Sequence, residues 1–202
     1  PARFSISSTH FYFVQSAFAQ FSREVEGPFS LRLLDSPKLD VLSEVARGVS
    51  ELGFLSYSEE NRRYILQKIN SQNLEAETIR VLQPCAFLSA RHPLASRRRL
   101  TIDDLKPYPC VTYYQSPTIP RYFEEELYQL PEWGQEFIAQ DNGAITFLLQ
   151  GTECFSIGCG SAPPTIQAFG ITSVPVVDIS PATLVWIKRR NQQLSSLAER
   201  FL

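Results

Sequence analysis

The chain has 202 residues, of which 44% are hydrophobic and 20% are charged, and its formal net charge at pH 7 is -2. This apolar content excludes a disordered chain, and the near-zero charge leaves no electrostatic footprint for nucleic acid or an anionic membrane. No apolar run reaches the length of about 18 residues that a membrane-spanning helix needs. At about 150 residues per domain, the length predicts one domain or two small interlocked lobes.

The first part of the chain alternates between strand-like and helical patterns. Arg3 to Ser8 predicts a strand, and apolar residues at spacings of three and four predict a helix from Phe11 to Val25, capped by Ser8 or Thr9. The next predicted elements are a strand at Ser30 to Leu34, a helix at Leu39 to Val49, a strand at Gly53 to Ser56, a helix at Glu59 to Asn70 and a strand at Leu74 to Leu82. Because each helix returns the chain across the sheet, the first three strands are predicted to be parallel.

The second part of the chain repeats this alternation. Its predicted elements are a strand at Cys85 to Ala90, a short capped helix at Thr101 to Leu105, a strand at Cys110 to Tyr114, a helix at Pro117 to Leu130, a strand at Phe137 to Gln140, a helix at Ala144 to Gln150 capped by Asp141 to Gly143, and a strand at Cys154 to Gly158. Strands at Val174 to Val177 and Leu184 to Lys188 and a helix with Leu194, Leu197 and Phe201 complete the chain. The pattern predicts an α/β fold with two similar βαβ-type lobes.

Small hydrogen-bonding residues follow the predicted strands. In open parallel sheets, ligands bind beyond the carboxyl ends of the strands, where helix N-termini offer N–H groups. These side chains suit the holding of a polar or anionic small molecule more than its breakage. The junctions carry no Lys or Arg except Arg121, which favours a neutral or monoanionic molecule. The junction residues are Ser8, Thr9, His10, Ser36, Ser56, Tyr57, Gln115, Ser116, Pro117, Thr118, Asp141, Asn142 and Gly158 to Ser161.

Several motifs, taken in order, carry a family resemblance. Ser8-Thr9-His10 precedes a phenylalanine-rich helix. The further motifs are Val41-Leu42 with Val45, Gly48 and Glu51 to Leu55, then Phe87-Leu88 with His92 to Ala95, Leu100 to Ile102 with Asp104-Leu105, Asp141-Asn142, the Gly158-x-Gly160 turn and Trp186-Ile187. They extend over essentially the whole chain, which resembles the effector-binding (regulatory) domain of a LysR-type transcriptional regulator.

This resemblance implies a type 2 periplasmic-binding-protein-like fold with a small-molecule effector in the cleft between two lobes. The first lobe is expected to comprise residues 1–84 plus 168–202 and the second residues 85–167, joined by two crossover segments near Gln83 to Ala86 and Pro164 to Phe169. The resemblance implies that the effector is bound by Ser8, Thr9, His10, Ser56, Gln115 and Ser116. The junction residues Asp141 and Gly158 complete the predicted effector-binding set. We expect no catalytic residue, no cofactor and no metal ligand.

The resemblance also implies a cytoplasmic homodimer or tetramer without membrane contact. Subunits would pair through the helix at Phe11 to Arg23 and the strand at Ser30 to Leu34. DNA would be bound only by an N-terminal winged helix-turn-helix domain that is not in this chain. The lack of Met and the opening directly into a strand agree with an excised domain, although removal of an initiator Met before Pro1 would explain the same fact.

Plainer interpretations stand beside these predictions. His10 is either an effector ligand or a surface side chain of the first helical turn, and capping alone would explain Ser8 and Thr9. Cys154 and Cys159 would sense redox state only if their Cα atoms lay within about 7 Å of each other. A stand-alone solute-binding protein serving a transporter is one alternative function. An enzyme is another, for which the junctions offer only His10 and Asp141.

Overall fold

The computed structural model describes residues 1–124 and 133–202, and the chain divides into two compact units. Unit 1 comprises Pro1–Arg80, Pro120–Phe123 and Thr183–Leu202, and unit 2 comprises Val81–Ile119 and Glu124–Ala182. Among the described residues, no helix has both the length and the apolar character required to cross a membrane.

The helices and strands alternate along most of the chain. In order they are β1 (Ala2–Ser8), α1 (Tyr12–Ser22), β2 (Phe29–Asp35), α2 (Lys38–Ala46), β3 (Leu52–Tyr57), α3 (Arg62–Ser71), β4 (Leu74–Leu82), β5 (Pro84–Ser89), α4 (Ile102–Leu105), β6 (Cys110–Tyr113), β7 (Glu136–Ala139), α5 (Asn142–Gly151), β8 (Phe155–Cys159), α6 (Pro164–Ala168), β9 (Ile171–Pro175), β10 (Ala182–Arg189) and α7 (Ser196–Phe201). A 3-10 turn at Arg121–Phe123 lies between β6 and β7.

The sheet of unit 1 has the strand order β2-β1-β3-β10-β4. Strand β1 pairs in parallel with both β2 and β3, which confirms the pairing predicted from the alternation of elements. The late strand β10 joins β3 in antiparallel orientation, with Trp186 opposite Phe54. Because β1, β2 and β3 are parallel, the segments that follow them lie along one edge of the sheet.

The core of unit 1 lies where α2 and α3 cover this sheet. Every residue of β3 is buried, as expected for a central strand that is covered on both faces. The buried apolar residues of α2 recur at spacings of three and four, so that one face of the helix packs inwards. The cluster comprises Val41, Leu42, Val45, Leu55, Tyr57, Ile65, Ile69, Leu74, Val185 and Ile187.

The C-terminal helix α7 is held on unit 1 by an aromatic cluster. The Phe201 ring centroid lies between 5.4 and 5.8 Å from those of Phe4, Phe18, Phe21 and Phe54. At the other end of α7, Glu51 accepts hydrogen bonds from the Ser195 backbone N–H at 2.7 Å and from its hydroxyl at 2.9 Å. Both ends of the helix are therefore attached to the parallel part of the sheet.

The sheet of unit 2 has the order β7-β6-β8-β5-β9. Strand β6 pairs in parallel with β7 and β8, whereas β5 is antiparallel to β8 and β9. Thr101 and Asp104 form a capping box at the start of α4, which confirms the short capped helix. The core of unit 2 contains Ala86, Leu88, Leu100, Leu105, Cys110, Phe155, Val174, Val176 and Ile179.

The start of α1 differs from the prediction. Phe11 occupies the N-cap position, and no side chain caps the helix. The predicted cap by Ser8 or Thr9 is therefore wrong, because a capping side chain must stand at the N-cap itself to reach the first free N–H groups. Thr9 precedes the N-cap by two residues and follows the last residue of β1.

Two further elements differ from the sequence-based assignment. The predicted helix Pro117 to Leu130 extends into residues 125–132, which lie outside the described residues, and its described part contains the 3-10 turn at Arg121–Phe123. Helix α6 is absent from the prediction, because Pro163 and Pro164 at its start are typical of a loop.

Residues 168–182 lie in unit 2, although the predicted division places them in the first lobe. Strand β9 pairs with β5 over its whole length, and Val176 forms a parallel bridge with Leu100. The chain enters unit 1 again between Ala182 and Thr183, and not near the crossover predicted at Pro164 to Phe169. Strand pairing decides this boundary, and hydrophobic periodicity does not reveal the sheet to which a strand belongs.

Candidate functional site

The carboxyl ends of β1, β2 and β3 bring small polar residues together. The Thr9 backbone N–H donates to the Phe54 carbonyl at 3.0 Å, and the Ser36 backbone N–H donates to the Ser8 carbonyl at 3.0 Å. Ser8, Thr9, Ser36 and Ser56 are all buried. The predicted residues Ser8, Thr9 and Ser56 therefore share one edge of the unit 1 sheet.

His10 lies at the same edge and is bound to an acidic residue. Its ring Nδ1 lies 2.7 Å from Asp35 Oδ1, and its backbone N–H donates to the same oxygen at 3.1 Å. Because an ionised carboxylate only accepts hydrogen bonds, Nδ1 carries the proton in this contact. His10 has a φ of 23°, in the left-handed region that favours glycine, and Asp35 stabilises this conformation through both contacts.

Asp35 is missing from the predicted site. It is the last residue of β2 and lies in register with Ser8 at the end of β1, so His10 follows its pairing partner by two residues. In the sequence, Asp35-Ser36-Pro37 is typical of a turn, and this local signal conceals the cross-strand contact. The pairing of the predicted parallel strands is the signal that would identify Asp35.

A buried lysine stands at the start of α2, the helix that follows β2. Lys38 is the first residue of α2, follows the end of β2 by three residues and is 2% exposed. A lysine in the first turn opposes the helix dipole, and fully buried lysines are rare. Lys38 lies outside the predicted junction residues, and sequence alone does not show that this side chain is buried.

The predicted residues of unit 2 follow strands that also end at one edge. Gln115 and Ser116 come after β6, and the Ser116 hydroxyl lies 3.0 Å from that of Thr118. Asp141 follows β7 and accepts the Ala144 N–H at 2.9 Å, which confirms the predicted cap of α5.

Gly158 in β8 is required by packing within unit 2. A Cβ atom at this position would lie 2.8 Å from Phe87 Cε2, closer than van der Waals contact allows. This close approach explains the glycine without a ligand, so the predicted effector contact of Gly158 stays a prediction.

His92 belongs to the opposite edge of the unit 2 sheet, next to the start of β8. Its Nε2–H donates to the Glu153 carbonyl at 3.1 Å, and its Nδ1 accepts the Leu94 N–H at 3.0 Å. These bonds select the neutral Nε2–H tautomer, and its ring centroid lies 4.4 Å from that of Tyr108. Burial lowers the pKa of His92. His92 therefore has a structural role at a turn.

The lowered pKa of His92 makes the stability of the protein depend on pH. Below about pH 6.5 the unfolded histidine binds a proton that the folded one does not, so the free energy of unfolding falls until the pH passes the lower, folded pKa. We expect the stability advantage of the wild type over His92→Gln to shrink when urea unfolding is measured at successively lower pH. Carboxylates common to both proteins cancel in this difference. A difference that does not change with pH would contradict the lowered pKa.

All four cysteines are buried, and none of them forms a disulfide. Cys154 precedes β8 and Cys159 ends it, so the extended strand separates their Cα atoms by about 16 Å at about 3.3 Å per residue. A disulfide needs a separation below about 7 Å, so this pair cannot form one while β8 is intact. Burial raises the pKa of Cys85 to about 11 and also raises that of Cys154, which disfavours the reactive thiolate.

The two five-stranded mixed sheets, each with three neighbouring parallel strands and an antiparallel strand beside them, are those of a type 2 periplasmic-binding-protein-like fold. The family model of the LysR substrate binding domain matches residues 3–202, and the chain belongs to this family. No curated protein matches the chain.

The solved structures similar to this chain include LysR family transcriptional regulators. The effector binding domain of QuiR in complex with shikimate has a TM-score of 0.60 at 13% identity, with 99% of this chain and 93% of that chain covered. HinK, a LysR family transcriptional regulator from Pseudomonas aeruginosa, has a TM-score of 0.59 at 18% identity, with 99% of this chain and 68% of that chain covered. Full-length CbnR complexed with its target DNA has a TM-score of 0.60 at 13% identity, with 99% of this chain and 67% of that chain covered.

Proposed function

We propose that this chain senses a small-molecule effector as the regulatory domain of a LysR-type transcriptional regulator, and that it binds the effector without converting it. The observation that carries the proposal is the set of buried hydroxyls of Ser8, Thr9 and Ser56 beside the His10–Asp35 pair. Buried polar side chains at the carboxyl edge of parallel strands are typical of ligand sites in α/β sheets. The relatives are transcriptional regulators, which favours this function over a transport protein or an enzyme.

A small monoanion, such as a hydroxylated carboxylate, is the effector class that we propose. The buried hydroxyl groups of Ser8, Thr9 and Ser56 offer hydrogen bonds to such a molecule, and the buried Lys38 begins the helix that follows β2. In unit 2, Gln115, Ser116, Asp141 and Gly158 are the proposed effector contacts.

We propose that DNA binding resides in a separate N-terminal domain of a longer, cytoplasmic protein. The full-length CbnR structure, which includes DNA, is covered by this chain over 67% of its length. Subunits would form a homodimer or tetramer through α1 and β2. The effector would shift the equilibrium between two arrangements of that assembly by its difference in affinity for them, typically about 1 to 3 kcal/mol.

A thermal-shift screen of small carboxylates, amino acids and aromatic molecules, including shikimate, tests the site. A ligand present at about 100 times its dissociation constant should add about 2.7 kcal/mol to the free energy of unfolding. Thr9→Val removes the hydroxyl and keeps the shape, so we expect about tenfold weaker binding of a screening hit. Thr9→Ser keeps the hydroxyl and should retain most of the affinity.

Ser22→Ala is the matched control for this test. It deletes a hydroxyl at the far end of α1, where Ser22 donates to the Ala19 carbonyl at 2.7 Å. We expect normal binding in this variant and weakened binding in Ser56→Ala. A hit whose affinity is the same in Thr9→Val, Ser56→Ala and the wild type would place the effector elsewhere.

A further inference from the structure

Unit 1 includes a short segment that is remote from the rest of it in the sequence. Pro120–Phe123, called the strap below, lies in the chain between β6 and β7 of the unit 2 sheet, yet it groups with unit 1. Its backbone forms a closed turn, in which the Phe123 N–H donates to the Pro120 carbonyl at 2.8 Å. The strap thus packs with unit 1, although the residues before and after it in the chain belong to unit 2.

Three contacts hold the strap on α3 and the core. The ring of Tyr122 stacks on that of Tyr64, with centroids 3.8 Å apart and planes inclined by 14°. Phe123 packs against the buried cluster of unit 1. The Tyr122 carbonyl accepts a hydrogen bond from Asn61 Nδ2 at 3.1 Å. Tyr64 and Tyr122 are 39% and 43% exposed, so the contacts are peripheral, as in segments that open at low energetic cost.

Asn61 connects the strap with the loop that follows β3. Its Oδ1 accepts the Ser58 backbone N–H at 2.9 Å while its Nδ2 donates to the strap, and the residue is buried. Ser58 follows the proposed effector contact Ser56 by two residues. Because the amide group is planar, a rotation that follows one partner misaligns the bond to the other. A shift of this loop therefore disturbs the strap.

We propose that the strap docks on and releases from α3, and that Asn61 is the positioning residue that couples its docking to the loop after β3. An effector bound at this edge would then change the docked population through its difference in affinity for the two states. The regulatory meaning of the strap rests on the proposed function, whereas its docking and coupling are tested without any effector.

Limited trypsin digestion tests the docking, because the Arg121–Tyr122 bond lies inside the closed turn. Asn61→Asp keeps the oxygen that accepts from Ser58 but replaces the donor to the Tyr122 carbonyl with a second oxygen. We expect cleavage after Arg121, followed by mass spectrometry, to become about tenfold faster. Cleavage in the exposed turn at Arg97–Arg99 of unit 2 should stay unchanged and provides the internal reference.

Amide hydrogen exchange tests the coupling. Tyr122→Ala removes the stacked ring and loosens the partner of Asn61, so we expect the Ser58 amide to exchange about fivefold faster. Tyr114→Ala removes another exposed tyrosine of the same β6–β7 connection and should leave Ser58 unchanged.

Either of two results would contradict the proposal that the strap docks on α3 and is coupled to the loop after β3. One is unchanged cleavage after Arg121 in Asn61→Asp, and the other is unchanged exchange of Ser58 in Tyr122→Ala. Both measurements are made without effector, so such a result leaves the proposed function intact. A ligand screen without a hit would count against the proposed function but not against the docking of the strap.

Discussion

Phe201→Ala is expected to lower the free energy of unfolding by about 3 kcal/mol, measured by urea denaturation. The ring of Phe201 is the common neighbour of four phenylalanines, and its removal leaves a space that several secondary-structure elements line. Those rings belong to Phe4, Phe18, Phe21 and Phe54 on β1, α1 and β3. Since Phe201 is only partly buried, the loss should fall at the lower end of the range for core Phe→Ala changes.

Leu202→Ala provides the control for this prediction. Leu202 is the next residue and is 49% exposed, so its truncation should change the free energy of unfolding by less than about 0.5 kcal/mol. Phe201→Leu retains part of the apolar volume and should fall between the two. A Phe201→Ala protein as stable as Leu202→Ala would show that the hydrogen bonds from Ser195 to Glu51, and not the aromatic cluster, hold α7.

The parallel half of each sheet could be predicted because its signal is local. Apolar spacing identifies α1 and α2, and a helix between two strands leaves parallel pairing as the natural connection. The same argument brings Ser8, Thr9 and Ser56 to one edge before any coordinates are known. The cap of α5 by Asp141 is local too, since it depends on a bond to a residue three positions away.

The remaining features depend on contacts between residues that are distant in the sequence. Whether Asp35 reaches His10 depends on the register of β1 against β2, and the burial of Lys38 depends on the packing around α2. The strap contacts Asn61 and Tyr64 from a position about 60 residues later in the chain. Hydrophobic periodicity describes one element at a time, so it contains none of this information.

The close packing of Gly53 predicts the second large effect on stability. A Cβ atom on Gly53 would lie 2.7 Å from Ile187 Cγ1 and 2.8 Å from Val45 Cγ2, and both of these side chains are fully buried. Neither can move into solvent, so β3 must separate from β10 or α2 to make room. We expect Gly53→Ala to lower the free energy of unfolding by about 3 kcal/mol, which is the upper part of the range for overpacked cores.

Gly151→Ala is the matched control, because a Cβ atom there would meet no other atom within 4 Å. This change should leave the stability unchanged or raise it by about 0.5 kcal/mol through the less flexible unfolded chain. The strand that Gly53→Ala displaces also carries Ser56, and the Phe54 carbonyl accepts the Thr9 N–H. Weaker effector binding should therefore accompany the loss of stability. A fully stable Gly53→Ala protein would mean that Val45 and Ile187 yield easily, and β3 would then be too compliant to position a ligand at its end.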